Sequence, residues 1–153
     1  MRIRVIEEGD VPALFAVRVV TDENRRTREE LTRQGITEAS VCERLRGTFH
    51  GWLAEEDGRV VGFAIGDRAT GELWVIAVLP EFIERGIGSE LMRRVEAWLE
   101  ENGCLELWLT TDLDPRLRAY AFYRHRGWED WKEEGGMRYM RKHVGALGAG
   151  RQS

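Results

Sequence analysis

Residues 73–89 read Leu-Trp-Val-Ile-Ala-Val-Leu-Pro-Glu-Phe-Ile-Glu-Arg-Gly-Ile-Gly-Ser. The first seven are apolar, β-branched or aromatic, which suits a central strand covered on both faces. Pro80 ends the run, because proline cannot donate to a strand ladder. From Ile87 the apolar positions recur at Leu91, Val95 and Trp98 or Leu99, the period of a helix. Asn102-Gly103 closes that helix with a glycine able to take the left-handed C-terminal conformation. The stretch therefore predicts a strand, a glycine-bearing turn and a helix over 87–102.

Reading towards the N-terminus, residues 2–6 alternate as a short strand, and Asp10 with Pro12 supplies an N-cap and first-turn proline for a helix over 11–20. The polar stretch Thr21 to Gly35 predicts a loop with room for a helical turn. Thr37 caps a second helix ending near Arg46, with Ile36 and Val41 placed as a hydrophobic staple. Gly51 to Glu55 and Arg59 to Gly66 flank Asp57-Gly58 and predict a tight hairpin. Towards the C-terminus, Cys104 to Thr111 reads as a buried strand and Pro115 to Arg126 as a helix ended by Gly127. Trp128 to Lys142 reads as two strands turning at Gly135-Gly136, and residues 143–153 as a flexible tail. The order of elements predicts one α/β domain over 1–142, a mixed sheet with helices packed on its faces.

The chain has 153 residues, 42% of them hydrophobic, a length that suits a single domain. Its 23 basic and 27 acidic residues are interspersed, with no basic block to follow a phosphate backbone, so nucleic acid is not an expected partner. Cys42 and Cys104 match no metal spacing and read as free thiols of a reducing compartment. Met1-Arg2-Ile3-Arg4-Val5 is not a signal peptide and no segment is apolar for long enough to span a bilayer. The expectation is a soluble cytoplasmic protein without metal or membrane partner.

The turn Glu84-Arg85-Gly86-Ile87-Gly88-Ser89 lies directly before a helix N-terminus. Two glycines let amides approach an anion, the helix dipole adds positive potential, and Arg85 and Ser89 offer further donors, so a pyrophosphate fits here. The plainer reading is a glycine needed only to turn the chain. A Walker loop is excluded because Ser89, not lysine, follows Gly88, and a dinucleotide G-x-G-x-x-G because position 91 is Leu91.

A second motif follows the next strand: Ala119-Tyr120-Ala121-Phe122-Tyr123-Arg124-His125-Arg126-Gly127-Trp128. With the turn, it makes the chain resemble the Gcn5-related N-acetyltransferases (GNAT). That family carries an R/Q-x-x-G-x-G/A turn between its fourth strand and third helix, and later an A-x-x-F/L-Y-x-x-x-G-F/W helix. The likeness runs over residues 2–142 and implies a mixed, mostly antiparallel sheet with helices on both faces and a splayed central strand pair. It departs from the pattern at Ile83, where the family has Arg or Gln, at Glu84, where a small residue is common, and at Arg116, where Asn is frequent.

The resemblance implies acetyl-CoA as cosubstrate, its pantetheine arm held by backbone groups of Ile76, Ala77 and Val78, with the amide of Ile76 nearest the thioester oxygen. Tyr123 matches the tyrosine that protonates the leaving thiolate, and a phenol of pKa about 10 stays protonated at neutral pH; its alternative role is a packed core aromatic beside Phe122. Glu72, fourteen positions before Gly86, stands where the histone-acetyltransferase branch carries its base. Water relays and a solvated strand residue are the alternatives there. Glu23, Asn24 and Asp112 are acidic or polar candidates for the pocket of a cationic acceptor amine, against the plain reading of surface polarity. The implied activity is direct acetyl transfer to a primary amine of a small molecule or peptide, with a homodimer left open. The rival is a non-catalytic acyl-CoA-binding module.

Overall fold

The computed structural model describes residues 1–21 and 28–145. The strands are β1 (Arg2–Val5), β2 (Phe49–Glu56), β3 (Arg59–Asp67), β4 (Glu72–Val78), β5 (Glu106–Thr111), β6 (Glu129–Glu134) and β7 (Met137–His143). The helices are α1 (Val11–Arg18), α2 (Arg28–Arg33), α3 (Glu38–Arg46), α4 (Ile87–Glu101) and α5 (Arg118–His125). The strands form one sheet in the order β1-β2-β3-β4-β5-β7-β6. Neighbours are antiparallel except β4 and β5, which run parallel. No helix among the described residues is long and apolar enough to cross a membrane.

The local signals act largely as their chemistry dictates. Asp57 and Gly58 take φ of 52° and 77°, the two positive angles of a type I′ turn between β2 and β3. Thr37 accepts from the amide of Ser40 at 3.0 Å, and Ile36 and Val41 are buried together with Val11, Phe15 and Leu31. Asp10 differs from its expected role: its carboxylate makes no cap bond to α1 and instead accepts from Arg4 at 2.9 and 2.8 Å and from the Glu7 amide at 2.7 Å. The guanidinium is the stronger partner, and it holds the Asp10 carboxyl below the usual range. The C-terminal helix begins at Arg118, not Pro115, because Asp112 and Asp114 accept from the amides two residues on and wind 112–116 into Asx turns. β7 continues to His143, and residues 146–153 lie outside the described residues.

Helices cover both faces of the sheet. Phe63 and Ile65 of β3 meet Leu14 and Phe15 of α1 around one small cavity, while Gly62 and Gly66 lie under Ile87 and Val95 of α4. The absence of a side chain at Gly62 and Gly66 of β3 lets α4 approach closely. Ile87, Leu91, Met92, Val95 and Leu99 of α4 are all buried, each stabilising the fold by about 1.5–3 kcal/mol on burial. β4 departs from the expectation of a strand covered on both faces. Leu73, Val75 and Ala77 are buried but Trp74, Ile76 and Val78 are only half-buried, because their side faces a cleft. Likewise β5 starts at Glu106 and buries only Leu107 and Leu109.

The tightest backbone approach is at Gly51, where a Cβ would overlap the carbonyl oxygen of Ala64 and come within 2.9 Å of the Ile65 Cα. Backbone cannot swing aside as a side chain can. Gly51→Ala should therefore cost about 3 kcal/mol or more in a urea unfolding titration, at the upper end for overpacking; a loss below about 1 kcal/mol would contradict the register of β2 on β3.

Candidate active site

β4 and β5 stay in register only at Glu72 opposite Trp108, where the Trp108 amide donates to the Gly71 carbonyl at 3.2 Å. Beyond that point they separate. Leu79 N donates to Val61 O at 2.8 Å, so by the alternation of an antiparallel ladder Ala77 also turns its peptide groups to β3, and those of Ile76 and Val78 face the gap. The gap opens into a cleft of about 930 Å³ running from Glu72 along β4 to Gly86, Gly88 and Ser89, with Phe122 and Tyr123 of α5 on the opposite wall.

At one end of the cleft stands the glycine turn. After a 3-10 turn over Pro80–Phe82, Ile83 is extended, and Glu84 and Gly86 take φ of 72° and 79°. Gly86 is the N-cap of α4 and gives it no side-chain cap, unlike Thr37 on α3. The amides of the first turn of α4 thus have no capping side chain, and they carry the positive end of the helix dipole. A Cβ on Gly86 would meet nothing within 4 Å, whereas one on Gly88 would lie 3.4 Å from the Phe122 ring. Gly88 is needed for that ring, and Gly86 for its backbone angle and the open space beside it. These amides and that space suit an anion such as a diphosphate.

The side chains of the turn are arranged otherwise than the sequence suggests. Arg85 does not line the cleft; it lies 3.4 Å from Glu56 and over the Phe82 ring at 4.7 Å. Ile87 is buried in the core. Glu84 does reach the cleft, paired at 2.8 Å with Arg118 of α5.

At the other end, Glu72 is half-buried and its pKa is raised to about 7, first by burial and then by the nearby charge of Asp67, with Arg44 opposing. Asp67 is itself fixed by Thr48 at 2.7 Å and the Ala69 amide at 2.9 Å. A carboxyl poised near neutrality can take up or release a proton at physiological pH.

Tyr123 lines the cleft yet is 8% exposed, its ring 5.7 Å from that of Phe122 and 6.4 Å from that of Trp128. The helical phase of α5 makes Tyr123 the more buried of the pair, so packing and cleft lining fall on one residue and Phe122 holds the turn. Asp112 is exposed at the rim and accepts from the Asp114 amide at 2.8 Å. Glu23 and Asn24 lie outside the described residues. The cleft also takes in Trp74, Thr110 and Arg126, which sequence reading did not single out. Arg126 had one available signal: it is the C-cap of α5, four residues after Phe122, a spacing that makes side chains neighbours. Among the described residues no group of three or more His, Cys, Asp or Glu side chains could hold a metal ion.

The model of the acetyltransferase (GNAT) family matches residues 14–128. An aminoglycoside N(6')-acetyltransferase type 1 from Acinetobacter genomosp. 13 is 33% identical over 70 residues, 46% of this chain and 45% of that protein. An amino-acid acetyltransferase from Pseudomonas syringae pv. syringae is 34% identical over 109 residues, 69% of this chain and 21% of that protein. The chain thus spans less than half the length of either relative. In fold it is similar to a PaiA N-acetyltransferase from Thermoplasma acidophilum solved in complex with coenzyme A. The TM-score is 0.77 at 19% identity, over 94% of this chain and 100% of that one.

The raised pKa of Glu72 has a consequence for stability. Because the folded state holds this proton more tightly than the unfolded chain, its stabilising contribution is complete below pH 4.5 and is lost as pH rises towards about 7. Glu72→Gln removes that loss. The variant should gain stability relative to the parent as pH rises from 4.5 to 7 and stay level above, in parallel denaturant titrations; a difference that does not change with pH would mean an unperturbed carboxyl.

Proposed function

The chain belongs to the acetyltransferase (GNAT) family, and on that footing we propose that it is an acetyl-CoA-dependent N-acetyltransferase acting on a primary amine of a small molecule or peptide. The observation that carries the reading is the meeting in one cleft of an uncapped helix N-terminus, the open edge of β4, a carboxyl of pKa about 7 and a buried tyrosine. The relatives named as aminoglycoside and amino-acid acetyltransferases support an amine acceptor.

In this reading the amides following Gly86, with Gly88 and Ser89, bind the diphosphate of the cosubstrate, and the peptide groups of Ile76 and Val78 take the amides of the pantetheine arm as an added strand would. Acetyl-CoA supplies the acetyl group as a thioester. The amide of Ile76 faces the position of the carbonyl oxygen and stabilises negative charge that develops there. Glu72, directly or through water, takes a proton from the acceptor ammonium. The freed amine forms the new N–C bond as the C–S bond breaks, Tyr123 delivers its phenolic proton to the departing sulfur, and the second proton, shed by the acylated nitrogen, passes through water and restores the phenol. Asp112 at the rim, with Glu23 and Asn24 from the sequence, are the candidates to face a cationic acceptor.

The test is release of CoA thiol from acetyl-CoA across amino acids, peptides, polyamines and aminoglycosides; CoA binding without release in any of them would leave a binding module. With an accepted amine, Tyr123→Phe keeps the packing and deletes the proton donor, so turnover should fall by about two to four powers of ten while acetyl-CoA affinity stays within a few-fold. Unchanged turnover across the pH range would return Tyr123 to the core.

Gly86→Ala adds a methyl group that meets nothing in the protein, at a strain of about 1–2 kcal/mol for the positive φ. It should leave a folded protein with much weaker CoA binding by calorimetry; wild-type affinity would remove the turn from the phosphate site.

A further inference from the structure

We infer that Arg126, the C-cap residue of α5, is the side-chain phosphate ligand of this acetyltransferase, supplying the free cation that the turn itself lacks. The inference rests on the proposed binding of CoA in the cleft. Three observations lead to it. Ile83, in the turn, offers neither charge nor side-chain donor. The two other arginines around the turn are engaged, Arg85 with Glu56 and Arg118 with Glu84. Arg126 lines the same cleft, half-buried, and its side chain makes no hydrogen bond or ion pair among the described residues; its Nε is a buried donor without a partner there.

Its guanidinium is held only by the face of the Phe122 ring, 4.9 Å from the centroid, and the edge of that ring approaches Gly88. Phe122 therefore touches both the cation and the turn. Two acids of α4 are engaged by other partners. Glu96 accepts from Trp128 Nε1 at 3.0 Å and from Lys142 at 2.9 Å, and Glu90 binds Arg93 and Arg94. Stacking on an aromatic face fixes the plane of a guanidinium without using its hydrogen-bond donors. A partly buried, pre-oriented and unpaired guanidinium beside a diphosphate site is suited to a phosphate oxygen.

The experiment is calorimetric binding of CoA, 3′-dephospho-CoA and pantetheine to the parent, Arg126→Gln and Arg126→Lys. Removing Arg126 breaks no internal ion pair, so melting temperatures without ligand should nearly coincide. Arg126→Gln should bind CoA about 10- to 100-fold more weakly, the loss of a charged hydrogen bond, Arg126→Lys should recover part of it, and pantetheine should bind all three alike. If the loss persists with 3′-dephospho-CoA, Arg126 holds the diphosphate; if it vanishes, Arg126 holds the 3′-phosphate. Parent-like CoA affinity in Arg126→Gln, or an equal loss for pantetheine, overturns the assignment. Failure of the parent itself to bind CoA would remove the acetyltransferase reading and this inference together.

Discussion

A single residue pair, Glu72 opposite Trp108, joins β4 to β5, and from it the two halves of the sheet diverge. Everything at the site depends on this parting. A buried strand edge with unpaired peptide groups is costly unless something pairs with it, and here the groups of Ile76 and Val78 face a cleft of about 930 Å³. The same divergence makes room for α5 to lay Phe122 and Tyr123 along the cleft. Each half is packed within itself, β3 against α4 on one face and α1 on the other and β5 against β7 along its full length, and Glu96 of α4 ties them by accepting from Trp128 and from Lys142 of β7.

The N-terminus of α4 is placed by this packing and not by capping. Ile87 is buried at the first turn and Leu91, Val95 and Leu99 continue the same stripe, so the helix is fixed by its apolar face and its first amides need no side-chain cap to be positioned. Hydrophobic burial is non-directional and tolerates an uncapped end. That leaves the positive end of the dipole directed into the cleft, with Gly86 in the one conformation that keeps side-chain bulk away.

Charge in the cleft is managed by pairing. Arg118 neutralises Glu84, Arg85 turns outward to Glu56, and Glu72 is kept near neutrality by burial and by Asp67. Against this background Arg126, unpaired among the described residues, stands out, because a half-buried cation without a carboxylate retains most of its capacity to attract an anion. Packing and chemistry also overlap at Tyr123, where the ring belongs to the core and the cleft at once.

The order of strands and helices, the hairpin at Asp57-Gly58, the Thr37 cap and the glycine turn before α4 were legible in the sequence, because each depends on contacts within a few residues. The two motifs that resemble the GNAT family were legible for the same reason. Which face of β4 would be covered, that Arg85 would leave the cleft, that Asp10 would choose Arg4 over α1, and that Glu72 would be held near neutrality were not. Two are settled by residues distant in the chain, β5 diverging from β4 and Glu56 meeting Arg85; Arg4 with Asp10 and Asp67 with Glu72 lie only six and five positions apart, yet their contact and the burial of Glu72 come from how the elements pack. Sequence alone determined the elements and the candidate chemistry; only the tertiary structure decided which charges are paired, since pairing follows distance in space and burial, and neither is encoded in local spacing.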